Sequence, residues 1–311
     1  MDDESPECKA HGCSLLSQLL IPIRQSESDI LRRTNLSSVF EEAMTACLLS
    51  LPTITPEDES LGLLGVAYPA LLSLLETSYL KPPSRAVSSQ QRLQMDRQVY
   101  TDKVTKLLRI ELIPSFHHIS SATSTAVSSF ASFPYPRLSS FMLEEVAIMV
   151  NEIQINSTKY LQELIPLTYS VLENPFGTAY LPLLFSAITT TRAVILNSHP
   201  RVWRWRGEIL GGVCLCWIHA LEEEKRIPTV QEENSEPVNE LEKLKRQLRG
   251  IAYLLKFALL NPVAVEDGLD AGQLEVRENI DKELHELVNA DDALRGLLLS
   301  DIDPADVDEF F

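Results

Sequence analysis

Glycine is scarce in this sequence, 11 residues in 311, and no glycine-rich run of the kind that cradles a phosphate occurs in it. A nucleophile elbow, a His-Glu-x-x-His pair and the kinase signatures are missing as well. Bases are in deficit, 27 against 44 acids, for a formal net charge of −17. A nucleic-acid binder needs a basic footprint, so this balance argues against that class. The five cysteines are an odd number in no disulfide-like framework. Cys47, Cys214 and Cys216 fall on apolar faces, where cysteine acts as a small hydrophobe, and that suits a reducing compartment. The longest apolar run, around Gly207 to Leu221, is about fifteen residues and contains Glu208, short of the ~20 that span a bilayer. The opening MDDESPECKAHGC has no charged-then-apolar layout, so no secretory or transit peptide is expected. These absences together predict a soluble intracellular protein with no membrane association.

The acidity that is present is unevenly spread. From Glu266 to Phe311 there are fifteen acids against three bases (Arg277, Lys282, Arg295), so the other 265 residues carry only −5 of the −17. It describes one segment's surface, not the core. Leucine dominates and the apolar pattern is helical almost throughout. Leu15, Leu16, Leu19, Leu20 and Ile23 mark a short helix over 13–24, and Leu31, Val39, Ala43 and Cys47 a second ending at Pro52. Thr55-Pro56-Glu57-Asp58 is a helix start, and Pro69 is expected to kink or divide the helix that follows. Residues 81–91 (KPPSRAVSSQQ) read as a linker. Leu93 to Ile119 reads as one helix, Ser120 to Pro136 as a Ser/Thr-rich loop. Leu138, Met142, Val146, Met149 and Ile153 give a clean apolar stripe; helices over Tyr160–Glu173 and Thr178–Leu196 follow. Glu222 to Glu240 is polar with two prolines and reads as a flexible insertion. Leu241, Leu244, Leu248, Ile251, Leu255 and Leu259 form the next stripe, with Lys243, Lys245, Arg246 and Arg249 assigned to its outer side. A final helical pair covers Leu274–Val288 and Asp291–Leu299.

The segments expected are therefore 1–80 (N-terminal helices), 92–221 (central helical-repeat region), 222–240 (insertion), 241–300 (C-terminal helices) and 301–311 (acidic tail). Leu-Ile-Pro recurs at Leu20-Ile21-Pro22, Leu112-Ile113-Pro114 and Leu164-Ile165-Pro166, and Ala67-Tyr68-Pro69-Ala70-Leu71-Leu72 is echoed by Ala179-Tyr180-Leu181-Pro182-Leu183-Leu184. Proline-marked helix pairs at loose spacing are how HEAT or armadillo arrays look in sequence. The fold expected is all-α, an irregular HEAT/armadillo-like helical repeat stack of α-solenoid type; the rival is a non-repetitive helical domain.

The chain is organised around His199 to Leu221, HPRVWRWRGEILGGVCLCWIHAL, which holds all three tryptophans. Ser198 can cap and Pro200 falls in the first turn, so the stretch reads as one buried helix. Val202, Trp205, Ile209, Val213, Cys216, Trp217 and Ala220 make one stripe, and Trp203, Leu210, Cys214, Trp217 and Leu221 a second. Gly207, Gly211 and Gly212 each cost about 1 kcal/mol of helix propensity, which implies close approach of a neighbouring helix. Cys214, Cys216 and His219 project in different directions and are assigned to packing, not metal. Cys8, His11 and Cys13 lack a fourth ligand, and His117-His118 has no nucleophile partner. No cofactor is called for and no catalytic constellation is found.

Trp203-Arg204-Trp205-Arg206 differs in kind, because tryptophan and arginine are enriched at binding hot spots. Either Arg204 pairs with Glu208 at i,i+4 inside the fold, or Arg201, Arg204 or Arg206 reaches a partner or clamps an acidic segment. The tail from Asp301 mixes acids with Phe310 and Phe311; it is either a solvated tail or a short docking motif.

At SHPRVWRWRGEILGGVCLCWIHALEEE, with LQELIPLTYSVLENPFGTAYLPLLFSAITTTRAVI before it, the chain resembles the fungal Tti-two (Tel-two-interacting) family over roughly Leu138 to Leu260. The resemblance implies a non-enzymatic HEAT-like subunit of the TTT co-chaperone complex, located in cytoplasm and nucleus. Its partners would be Tel-two-like and Tti-one-like helical-repeat proteins and, through them, a heat-shock chaperone and phosphatidylinositol-kinase-related kinases. This links it to TOR signalling, DNA-damage checkpoints and telomere maintenance. It carries over no catalytic residues. Binding through the C-terminal half would put Trp203–Glu208, and Lys245 and Arg249 on the helix Leu241–Leu260, near the partner. The rival function is an unrelated transport or trafficking adaptor for basic cargo; the concentration of charge at one end is its weak point.

Overall fold

The structure is a computed structural model and describes residues 5–52, 55–80, 90–121, 133–226, 236–261 and 271–300. Among these there is no strand; the fold is all-α, built of packed helices in an irregular HEAT/armadillo-like manner. Contacts divide the chain into two compact units, Met1–Ser129 with Phe133–Ile153 and Phe130–Ser132 with Gln154–Phe311. The division near Ile153 falls inside the segment read as 92–221.

The first unit holds α1 (Pro6–Gln25), α2 (Ile30–Arg33), α3 (Leu36–Cys47), α4 (Glu57–Tyr79), α5 (Gln90–Lys106), α6 (Ile113–Ser121) and α7 (Pro136–Ile153). Its centre is α4, against which α1, α3, α5 and α7 pack. Helix α4 begins one residue later than its start signal suggests: Pro56 occupies the cap position and Thr55 makes no capping bond. The first-turn acids suit the positive end of the helix dipole, and Asp58 accepts from Arg137 at 2.5 Å. Pro69 does not divide α4, which runs unbroken through it; neighbours on several sides hold the helix together where one backbone bond is missing. The expected helix over Leu93–Ile119 is instead α5, a π-helical turn (Leu107–Leu112) and α6. Pro114 cannot donate to the carbonyl of Ile110, and the ladder opens into the wider turn just before it. The stripe Leu138, Met142, Val146, Met149 and Ile153 on α7 is fully buried.

The second unit holds α8 (Leu161–Leu172), α9 (Leu181–Val202), α10 (Arg206–Arg226), α11 (Glu236–Leu260), α12 (Ala271–Ala290) and α13 (Arg295–Leu298), with 3-10 turns at Gln154–Tyr160, Gly177–Tyr180, Trp203–Trp205 and Asp292–Leu294. Helix α9 packs on α8, α11 and the turn at Gln154–Tyr160; α10 packs on α8 and α11; α11 packs on α12 and α13. The stripe Leu241, Leu244, Leu248, Ile251, Leu255 and Leu259 is buried as its spacing predicts.

His199–Leu221 is not one helix. The backbone breaks at Ser198 (φ −118°, ψ 16°), resumes to Val202, tightens into the 3-10 turn Trp203–Trp205 and becomes α10 at Arg206. Pro200 has no N–H for the carbonyl of Leu196; the His199 ring lies 3.2 Å from that oxygen instead. Ser198 is not a cap. It is buried and shares a 2.7 Å hydrogen bond with Ser157. The stretch read as a flexible insertion over 222–240 is helical at both ends, since α10 continues to Arg226 and α11 starts at Glu236. Most of the expected linker over 81–91, whose last two residues begin α5, most of the Ser/Thr-rich loop and the tail 301–311 lie outside the described residues. By length and composition α4 and the run Gly177–Arg226 could cross a membrane, but more than half of each apolar window is buried inside the protein, as in core helices.

Candidate functional site

Two of the three tryptophans sit where another element docks. Trp203 lies against Gly272 of α12, where an added Cβ would meet the indole at 2.6 Å, so only glycine allows this approach. Trp217 is buried, donates from Nε1 to the carbonyl of Ala293 at 2.9 Å, and touches Gly296. Trp205 is half-buried and lines a cleft. Gly211 and Gly212 mark a close approach of α8, with an added Cβ 3.4 Å and 3.3 Å from Tyr169; Gly207 meets nothing within 4 Å. Close packing thus explains two of the three glycines.

Most of the cations singled out in the sequence are held inside the unit. Arg206 donates twice to Glu283, at 3.0 and 2.9 Å, and once to the carbonyl of Trp203 at 3.2 Å. That forked geometry raises its pKa against the opposing effect of burial. Lys245 is not on an outer side. It is buried at 6% exposure and ion-paired to Glu224 at 3.0 Å and to Glu242. Burial works against its charge, but its hydrogen bonds to the two carboxylates outweigh that and raise its pKa. The helical pattern misplaced it because α10 extends to Glu224, inside the stretch read as an insertion. Arg249 stacks over the Trp217 ring at 5.5 Å and lies 3.9 Å from Glu242. Arg204 lies over the Trp203 ring at 5.0 Å. Phe310 and Phe311 lie outside the described residues.

Arg201, Arg204, Trp205 and Glu208 come together with Thr158, Lys159, Leu161 and Gln162 around an open cleft of about 360 Å³. Lys159 and Gln162 are exposed, and Lys159 makes one long bond, 3.4 Å, to Asn156. Sequence reading missed Thr158, Lys159 and Gln162. The available signal was the polar run Asn156–Lys159 directly before an apolar helix. A second cleft of about 560 Å³ beside Arg204 and Arg206 has Glu208, Glu283 and Glu286 in its lining, so acids outnumber bases there.

Little here is poised for chemistry. Burial pushes the Cys214 thiol up to about 11 and the Cys216 thiol up to about 12, so both stay protonated. His219 is half-buried, and its Nδ1 has no partner. Among the described residues no three His, Cys, Asp or Glu side chains gather as metal ligands. The arrangement can bind through charge and stacking.

Sequence reading also missed an apolar surface in the first unit. Helix α1 buries Cys13, Leu16 and Leu20 and leaves Leu15 and Leu19 65% and 48% exposed; α3 buries Met44 and Cys47 and leaves Val39 56% exposed. The four leucines of α1, read from the sequence simply as apolar, form two stripes. One packs on α4; the other faces outward.

Comparison with known proteins places the chain among helical scaffolds. The model of the Tti2 family matches residues 1–179, the whole first unit and α8 of the second. No curated protein and no solved structure matches the chain. The Trp-Arg run at 203–206 lies beyond the matched residues, whereas the stretch from Leu161 that also carried the resemblance lies partly within them. With more than half of its length covered, the chain belongs to the Tti2 family, known as part of the TTT complex.

Proposed function

We propose that the chain is a non-enzymatic scaffold or adaptor subunit of a TTT-type co-chaperone complex that supports the stability and assembly of phosphatidylinositol-kinase-related kinases. The observation that carries this reading is the family match over residues 1–179. The all-helical build and the outward-facing leucines of α1 and α3 agree with it, because large apolar side chains left in water on one helix face call for a covering partner. The partners are a Tel-two-like and a Tti-one-like helical-repeat protein, with the heat-shock chaperone and the kinases bound through them. The complex acts in cytoplasm and nucleus. Arg201, Arg204, Trp205 and Glu208 belong to the partner-facing side of the second unit, while Trp203, Arg206, Lys245 and Arg249 hold that unit together.

Affinity purification of the tagged chain from its own cells, with mass spectrometry, tests this. Recovery of two large helical-repeat proteins with giant kinases is the expected result. A chain recovered alone, or with basic cargo, would instead favour the transport-adaptor class.

A further inference from the structure

We infer that the cleft between the turn Gln154–Tyr160 and Trp203–Trp205 is a docking site for an acidic peptide segment of a partner protein. This deepens the adaptor reading and rests on it. Three cations line the cleft, Lys159, Arg201 and Arg204, against one acid, Glu208. In a chain of net charge −17 that is a local reversal of sign. Several cations elsewhere in this unit are paired: Arg206 with Glu283, Lys245 with Glu224 and Glu242, Lys256 with Asp281 at 2.8 Å. Arg201 differs. It is exposed, and among the described residues no hydrogen bond or ion pair engages its guanidinium. Arg204 is also exposed and lies over the Trp203 indole at 5.0 Å, a contact that positions its guanidinium at the rim of the cleft.

The chemistry of the lining selects the ligand. Guanidinium groups take carboxylates in forked pairs. The half-buried Trp205 offers an aromatic surface for an apolar side chain between the acids. Gln162 and Thr158 supply neutral polar contacts for a peptide backbone. A nucleic acid would need a longer track of cations than three, with no carboxylate among them.

The test uses the full chain and a fluorescein-labelled twelve-residue peptide of alternating Glu, Asp and Leu, followed by fluorescence anisotropy at roughly 50 and 300 mM salt. Binding at low salt that weakens at high salt is expected. The chain carrying Arg201→Glu with Arg204→Glu should lose at least about tenfold in affinity, corresponding to 1.4 kcal/mol. Lys243→Glu, which changes a cation stacked on Phe185 outside the cleft, should bind as the parent does. Circular dichroism checks the fold, and Lys159→Glu, at an exposed position, supplies a second variant should the double one misfold. No binding by the parent chain, or equal binding by the cleft variants, overturns the inference. Equal binding of single-stranded DNA of the same charge overturns it too. So does a tenfold gain on removing residues 301–311, which would make the chain's own acidic segment the occupant. Co-purification of the large helical partners with the parent chain in any of those cases leaves the adaptor reading standing and removes only the cleft.

Discussion

The two units differ in what their most conspicuous side chains do. The first buries polar groups it does not satisfy and exposes apolar ones it does not cover. Tyr68 Oη, Ser139 Oγ and Glu145 Oε2 are buried with no hydrogen-bond partner, while Leu15, Leu19, Val39 and Leu49 stand in water, Leu49 at 63% exposure. The second unit spends its charged and aromatic side chains on itself: Trp203 on Gly272, Trp217 on Ala293 and Arg249, Arg206 on Glu283. Residues that resemble an interface by composition can therefore be internal fasteners. The exposed apolar residues of the first unit lie where no motif drew attention.

The largest effect that would sharpen this contrast is on Trp217. Trp217→Ala removes a buried indole, its bond to Ala293 and the ring under Arg249, and should cost about 3–5 kcal/mol. Urea denaturation monitored by circular dichroism should show the loss. A cost under about 1 kcal/mol would mean that the indole is not a fastener.

Glu145 comes next. Burial, with a contribution from Glu144, raises its carboxyl to about 7 from an ordinary value near 4.5. The folded state then holds a proton that the unfolded state has released across that interval. Stability attributable to this group is thus highest below about pH 4.5 and falls as pH rises through 7. Glu145→Gln should flatten that part of the pH–stability profile and stabilise the protein at pH 8 by up to about 3 kcal/mol. A profile that keeps the parent's slope would contradict the assignment.

Arg206→Ala breaks a forked ion pair whose partners are 28% and 35% exposed. After solvent screening the expected cost is about 1 kcal/mol, read as a drop of a few degrees in Tm. The smallest effect on stability belongs to Leu15→Ser with Leu19→Ser, within about 0.5 kcal/mol, because their side chains are already in water. The same double change should lower recovery of the helical partners in affinity purification. Unchanged recovery would mean that this face is not the one they cover.

Long single stripes were legible in the sequence. The five apolar positions of α7 and the six of α11 were read from spacing alone, and all are buried. Helices with apolar residues on two sides were not legible, because periodicity alone does not say which stripe finds a neighbour. On α1, Leu15 and Leu16 carry the same apolar signal, yet only Leu16 is buried. Lys245 was misplaced for a related reason: its partners Glu224 and Glu242 sit on different helices, and only the extension of α10 brings Glu224 within reach. At the cleft, Arg201, Arg204 and Trp205 were visible as a motif. Lys159 and Gln162, some forty residues earlier in the chain, were not, since nothing local ties a 3-10 turn to a helix so far along the sequence.

The central claim is that the Trp-Arg run divides within six residues into a fastener and an exposed cleft wall. Side-by-side thermal melts of Arg206→Glu and of Arg201→Glu with Arg204→Glu test it most directly. Placing a carboxylate opposite Glu283 should lower the Tm by several degrees, while the double change at the cleft should move it by less than about 2 °C. If the cleft variant melts well below the parent and the Arg206 variant does not, the cations have been assigned the wrong way round.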